Sequence, residues 1–109
     1  MEITAVLVAR SGPETQASVA GELITVNGVE YDLAPIPEGG EARPTGDHPF
    51  MGPMTRTEGV LRVSLFWFYD TATAEPSQGP ERPVLTITSG DVPDPVKRKP
   101  VIEEIEDEL

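Results

Sequence analysis

The chain has 109 residues, which is enough for one domain with one modest core and excludes a multidomain enzyme. Eight Lys and Arg against 19 Asp and Glu give a net charge of −11 at pH 7, so nucleic acid and anionic membrane surfaces are poor partners. The absence of cysteine excludes disulfides and thiol chemistry, and 10 glycines with 12 prolines leave little uninterrupted sequence for long helices.

The apolar run at residues 5–9 predicts a strand rather than a targeting signal. Glu2 stands where a signal peptide carries basic residues, and the run is about half as long as a typical signal core. No stretch approaches the ~18 apolar residues of a membrane-spanning helix. We therefore expect no insertion into a membrane.

Residues 22–33 form the clearest local pattern, two short β-prone runs joined by Asn27-Gly28. This pair tolerates positive φ at both central positions of a type I′ turn, so the segment predicts a β-hairpin. A two-residue loop places Ile24 opposite Tyr31 on an apolar side of the hairpin. The other side is mostly polar.

Between residues 34 and 53, five prolines are interspersed with four glycines, which predicts a long loop without regular structure. The loop holds the sole histidine, His48, but lacks the rigid support that a catalytic base requires. The paired carboxylates Glu30 and Asp32 suit the solvated side of the hairpin. No residue pattern indicates a metal, a cofactor or a catalytic centre, so we expect a non-enzymatic protein. An enzyme with a cleft around His48 is the contrasting hypothesis.

A second hairpin is predicted from residues 54–57, Glu58-Gly59 and residues 60–69. One face of its return strand carries Leu61, Val63, Leu65, Trp67 and Tyr69. The opposite face begins polar and becomes aromatic at Phe66 and Phe68. A strand that is apolar on both sides lies between two layers or is covered by another chain. We take Phe66 and Phe68 as candidate partner-binding residues, with burial in the core as the alternative.

Residues 83–90 predict one last strand with Leu85 and Ile87 on the same face, which gives five or six strands in total. The expected fold is mainly β: a small antiparallel sheet, sandwich-like or barrel-like, built from hairpins, with long Pro/Gly loops and an acidic C-terminal tail. The expected organisation is a single β domain at residues 1–92, followed by a Pro-rich linker and acidic tail at 93–109.

The C-terminal tail has apolar residues with helical spacing. Ile102, Ile105 and Leu109 fall at i, i+3 and i+7, and Pro100 suits the first position of a helix. Ten residues are too few for a stable helix in water, and five acids at the C-terminal end oppose the helix dipole. We expect a disordered tail unless a partner orders it as a short helix, with these three residues as a second candidate binding strip.

The order of these pieces resembles small proteins encoded among the tail genes of tailed phages and prophages of proteobacteria. The resemblance is carried by the Asn27-Gly28 hairpin, the Pro-Ile-Pro-Glu-Gly loop at residues 35–39, the segment 50–61 and the strand at 83–90. It spans about residues 22–92, and the aromatic run at 65–69 departs from the more polar stretch of that family. It implies no catalytic residues.

The resemblance implies a phage tail-associated structural or adaptor protein near the tail tip or fibre attachment. Its partners would be larger tail-tip or fibre proteins, and it would be made in the host cytoplasm and reside in the virion tail. The alternative is a transient assembly factor or host-protein inhibitor that the virion does not retain. The resemblance does not exclude that the protein forms a homo-oligomer.

Overall fold

The computed structural model describes residues 1–100, which contain nine strands in two sheets. The strands are β1 Glu2–Arg10, β2 Ala17–Ala20, β3 Leu23–Val26, β4 Val29–Asp32, β5 Glu41–Ala42, β6 Met54–Thr57, β7 Val60–Asp70, β8 Val84–Thr86 and β9 Ser89–Asp91. The mainly β prediction is confirmed, and no residue between 1 and 100 is helical. That part of the chain consequently has no helix with the length and apolar character needed to cross a membrane.

The strands follow the order β5-β6-β7-β1-β8 in one sheet and β4-β3-β2-β9 in the other. Most pairs are antiparallel, but the central pair, β1 with β7, is parallel from Glu2 opposite Arg62 to Arg10 opposite Asp70. The expected antiparallel pairing therefore holds for the other strand pairs but not for this one. After β1 the chain crosses to the other sheet and returns much later, as a parallel connection requires.

Both predicted hairpins are confirmed. In the first, Ile24 pairs with Tyr31 across a turn in which Asn27 and Gly28 have φ of 49° and 84°. The second joins β6 to β7 through Glu58 and Gly59, with φ of 52° and 75°. Positive φ at both central residues gives the turn the twist that two antiparallel strands need.

Three strand assignments differ from the prediction. Residues 83–90 do not form one strand, because the chain leaves β8 at Ile87 and enters the other sheet as β9, where it pairs with β2. β2 was not predicted, and β5 lies inside the predicted loop at residues 34–53, where it pairs with β6. The described residues therefore contain nine strands rather than five or six.

One buried apolar cluster draws side chains from both sheets. The five-stranded sheet contributes Ile3, Ala5, Leu61, Val63, Leu65 and Trp67, and the four-stranded sheet contributes Ala17, Val19, Ile24 and Val26. Phe50, from the predicted loop, is also buried and packs edge to face on Tyr31 with ring centroids 4.9 Å apart. This cluster fixes which face of β7 points inward.

Residues 93–100, predicted as the start of a linker, contact the body of the protein. Val96 is buried, and Arg98 forms an antiparallel bridge with Ala74. The Lys99 N–H donates to the Thr73 carbonyl over 2.9 Å. The described chain therefore ends next to the segment that follows β7.

Candidate functional site

The candidate site is the outer face of the five-stranded sheet. Because β1 and β7 run parallel in register, Val6 lies beside Phe66 and Val8 lies beside Phe68. These four side chains, the aromatic patch, point away from the shared core and are half-buried. On the neighbouring strand, Val84 lies opposite Thr4 on the same face and is 58% exposed.

Charged residues bound the aromatic patch at both ends. At one end the Arg62 Nε lies 3.1 Å from a Glu2 carboxylate oxygen. At the other, Arg10 and Asp70 are partners in the register, and the Arg10 guanidinium lies 4.2 Å from the centroid of the Phe68 ring. These four charges sum to zero, whereas the chain carries −11. A second acidic surface would therefore meet less repulsion here than on an average part of this protein.

Hydrogen bonds hold the two aromatic residues along one edge of β7, the edge that faces away from β1. The Phe66 N–H donates to the Pro49 carbonyl over 2.8 Å. Thr15 makes two bonds to Phe68: its N–H donates to the Phe68 carbonyl over 3.0 Å, and its hydroxyl oxygen accepts from the Phe68 N–H over 2.9 Å. Phe66 and Phe68 therefore lie on a fixed strand, as a preformed binding surface requires.

A second polar cluster surrounds Arg98, which lies between two carboxylates. Its guanidinium is 2.8 Å from Glu14 and 2.8 Å from Asp94. Glu14 also accepts from the Asp70 N–H over 2.6 Å, which ties the cluster to the end of β7. The two carboxylates raise the pKa of Arg98 above its ordinary value, so the guanidinium stays charged and paired. This cluster anchors residues 94–98 to the sheet.

A cleft of about 460 Å³ opens beside the Arg98 cluster, but its chemistry suits no ligand well. The one arginine is already paired with Glu14 and Asp94, so an anion would have to displace both carboxylates. Trp67 lines the cleft but is only 3% exposed, so its ring face is not available for stacking. Within residues 1–100, no group of three acidic or histidine side chains is placed to hold a metal ion.

The Arg98 cluster predicts a pH dependence of stability. The hydrogen bonds from Arg98 and from the Asp70 N–H lower the pKa of Glu14 below 4.5. Burial would raise the pKa of Asp94, but bonds from Arg98 and the Val96 N–H outweigh it and bring the pKa below 3.8. Groups with a lowered folded pKa stabilise the protein above their unfolded pKa and lose that contribution as the pH falls through the folded pKa. Arg98→Met should therefore destabilise the fold at pH 7 and much less at pH 3.

Urea unfolding of the wild type and Arg98→Met at both pH values measures this difference. Arg43→Met is the matched control, because Arg43 pairs with Glu41 over 3.2 Å on an exposed strand end, where an ion pair contributes little. If Arg98→Met lowered the free energy of unfolding by the same amount at pH 3 and pH 7, the ionic role of the cluster would be contradicted.

The remaining candidate residues occupy separate places. His48 accepts a hydrogen bond at Nδ1 from the Phe50 N–H over 3.2 Å and so supports the loop that carries the buried Phe50. The Asp32 carboxylate accepts from the Ala34 N–H over 3.0 Å at the end of β4. Ile102, Ile105 and Leu109 lie outside the described residues.

The sequence placed Phe66 and Phe68 on the opposite face of β7 from Leu65 and left open whether that face is core or interface. The structure places them on that opposite face, half-buried. Sequence reasoning missed Val6, Val8, Val84 and Arg10, which share that face. No local signal identifies them, because their position depends on the pairing of β1 with β7 and β8.

The chain matches no protein-family model, no curated protein and no solved structure. The resemblance of residues 22–92 to phage tail proteins stays a prediction.

Proposed function

We propose that this chain is a non-enzymatic, phage tail-associated structural or adaptor protein that binds larger tail-tip or fibre proteins through the aromatic patch. The proposal takes the two sheets as a sandwich with long Pro/Gly loops and an acidic C-terminal tail. It places the protein in the virion tail after synthesis in the host cytoplasm. The resemblance of residues 22–92 supports the phage assignment.

The aromatic patch carries the proposal. Along β7 the outer face changes from the polar Arg62 and Ser64 to Phe66 and Phe68, although nothing within residues 1–100 turns this face into core. Interface centres are enriched in aromatic residues and depleted in charge, with arginine frequent among the residues that matter most. Arg10 stacked on Phe68 matches that composition.

The geometry of the patch also suits an adaptor better than an enzyme. Its apolar side chains lie on adjacent strands of one sheet, which offers a broad and rigid surface. Small-molecule sites are instead concave and enclose most of their ligand. A partner protein with a complementary apolar face is therefore the occupant that this surface favours.

Two exposed valines give a matched test of the proposal. Val84 lies on the outer face and is 58% exposed, while Val29 lies at the turn of the first hairpin in the other sheet and is 52% exposed. Val84→Asp places a charge beside the patch, and Val29→Asp places the same charge far from it. Because both positions are solvated, we expect both variants to fold.

The measurement is quantitative mass spectrometry of purified phage particles assembled with each variant. We expect the wild type and Val29→Asp at stoichiometric levels. Val84→Asp and Phe66→Ala/Phe68→Ala should be incorporated at lower levels, because the loss of a hot spot of about 2 kcal/mol weakens the affinity for the partner about 30-fold. Equal incorporation of all four folded proteins would overturn the use of this face. Absence of the wild type from particles would favour the assembly factor or inhibitor.

A further inference from the structure

We infer that residues 101–109 of the same chain bind the aromatic patch in the free protein and compete there with any partner. The contact between residues 101–109 and the patch does not depend on the proposed function. Only the competition with a partner rests on that function. Three features support this contact: the place where the described chain ends, the reach of the remaining residues and the chemical match between the segment and the patch.

The described chain ends beside the Phe68 end of the patch. Arg98 contacts Glu14 over 2.8 Å, and Glu14 accepts from the Asp70 N–H over 2.6 Å. Asp70 follows Phe68 by two residues on β7. The N–H of the next residue, Lys99, donates a hydrogen bond to the carbonyl of Thr73, just beyond β7. The described chain therefore ends near the C-terminal end of β7, which is the Phe68 end of the patch.

The last nine residues are long enough to cross the patch. Fully extended they span about 30 Å, at up to ~3.6 Å per residue. The outer face of β7 from Phe68 back to Arg62 covers six residues, or about 20 Å at ~3.3 Å per residue. The patch occupies only the Phe66 and Phe68 part of this length, so the segment can cross it from the Phe68 end without being fully extended.

The composition of the segment complements the patch. Residues 101–109 read Val-Ile-Glu-Glu-Ile-Glu-Asp-Glu-Leu, so apolar side chains at 102, 105 and 109 are separated by acids. Arg10, at the near end, donates to the Pro13 carbonyl and has no carboxylate within salt-bridge distance among residues 1–100. It can therefore pair with one of these acids while the aliphatic side chains contact the patch.

Tethering favours the intramolecular contact over the same contact between two copies. A short flexible connection gives an effective concentration in the millimolar range. A weak contact that is unpopulated between separate molecules at micromolar concentration is then substantially populated within one chain. Two chains of charge −11 also repel each other.

The test uses the full chain with one cysteine, Glu108→Cys, which carries a nitroxide spin label. Because the sequence has no other cysteine, the label sits at a single position. Paramagnetic broadening of valine methyl signals then reports which residues approach the segment. We expect Val6 and Val8 to lose most of their intensity and Val29 to keep it.

The matched control adds Ile102→Ser and Ile105→Ser to the labelled chain. These changes leave the tether and the acids in place, so we expect Val6 and Val8 to recover several-fold in intensity. An unchanged pattern in this control, or no selective broadening at all, would overturn the proposal. Broadening in a mixture of labelled chains with separate isotope-enriched chains would assign the contact to a second copy and would also overturn it. Incorporation into particles is measured separately, so either proposal can fail alone.

Discussion

Leu65→Ala is expected to lower the free energy of unfolding by about 2–5 kcal/mol, because Leu65 is fully buried and its removal leaves a cavity. Leu65 lies on the inner face of β7 and pairs with Phe50 across an isolated bridge. Phe66→Ala, one residue along the same strand, should lower it by under about 2 kcal/mol, since that ring is already partly solvated.

Urea unfolding of both variants decides whether the aromatic patch is a surface or part of a core. The two residues are neighbours on the same strand, so each variant serves as the control for the other. A Phe66→Ala loss as large as that of Leu65→Ala would place Phe66 in the core and remove the basis for the proposed interface.

Thr15→Val should destabilise the protein by about 1–3 kcal/mol, the cost of leaving a buried donor without a partner. Thr15 is only 5% exposed, and its hydroxyl oxygen is the acceptor for the Phe68 N–H. Valine keeps the shape of threonine but offers no acceptor. The variant therefore tests the single hydrogen bond between the Thr15 hydroxyl and the C-terminal half of β7.

Amide hydrogen exchange at Phe68 measures this effect directly, alongside urea unfolding. Thr15→Ser is the control, because serine keeps the acceptor and loses only a methyl group. We expect protection at Phe68 to fall in Thr15→Val and to persist in Thr15→Ser. Equal protection in the two variants would show that the hydroxyl does not support the strand.

Local signals in the sequence predicted the hairpins. Asn27-Gly28 and Glu58-Gly59 each adopt positive φ at both positions, so four residues suffice to define each turn. The alternation along β7 predicted its buried face because the period of two is set by the strand itself. These parts of the fold depend only on neighbouring residues.

Distant pairing escaped prediction because no local pattern encodes it. The parallel contact of β1 with β7 joins residues 60 apart, such as Val6 and Phe66. The alternation of Leu85 and Ile87 continues through the point where the chain changes sheets, so it concealed the break between β8 and β9. In β2, Val19 is the only large apolar side chain, which is too weak a signal for a strand.

The candidate site was predictable in part for the same reason. Alternation placed Phe66 and Phe68 on the opposite face of β7 from Leu65, whereas Val6 and Val8 joined them only once the register was known. The contact of Arg98 with Glu14 spans 84 residues and follows from the overall fold rather than from spacing.

The parallel pairing of β1 with β7 also sets when the protein can fold during its synthesis. β1 is made first, but one of its neighbours is β7 and the other is β8, which ends at Thr86. Long-range pairings of this kind slow folding, because the chain must close large loops before the contacts form. The ribosome must therefore release β7 before β1 gains its first neighbour, and until then the apolar residues of β1 are exposed to aggregation.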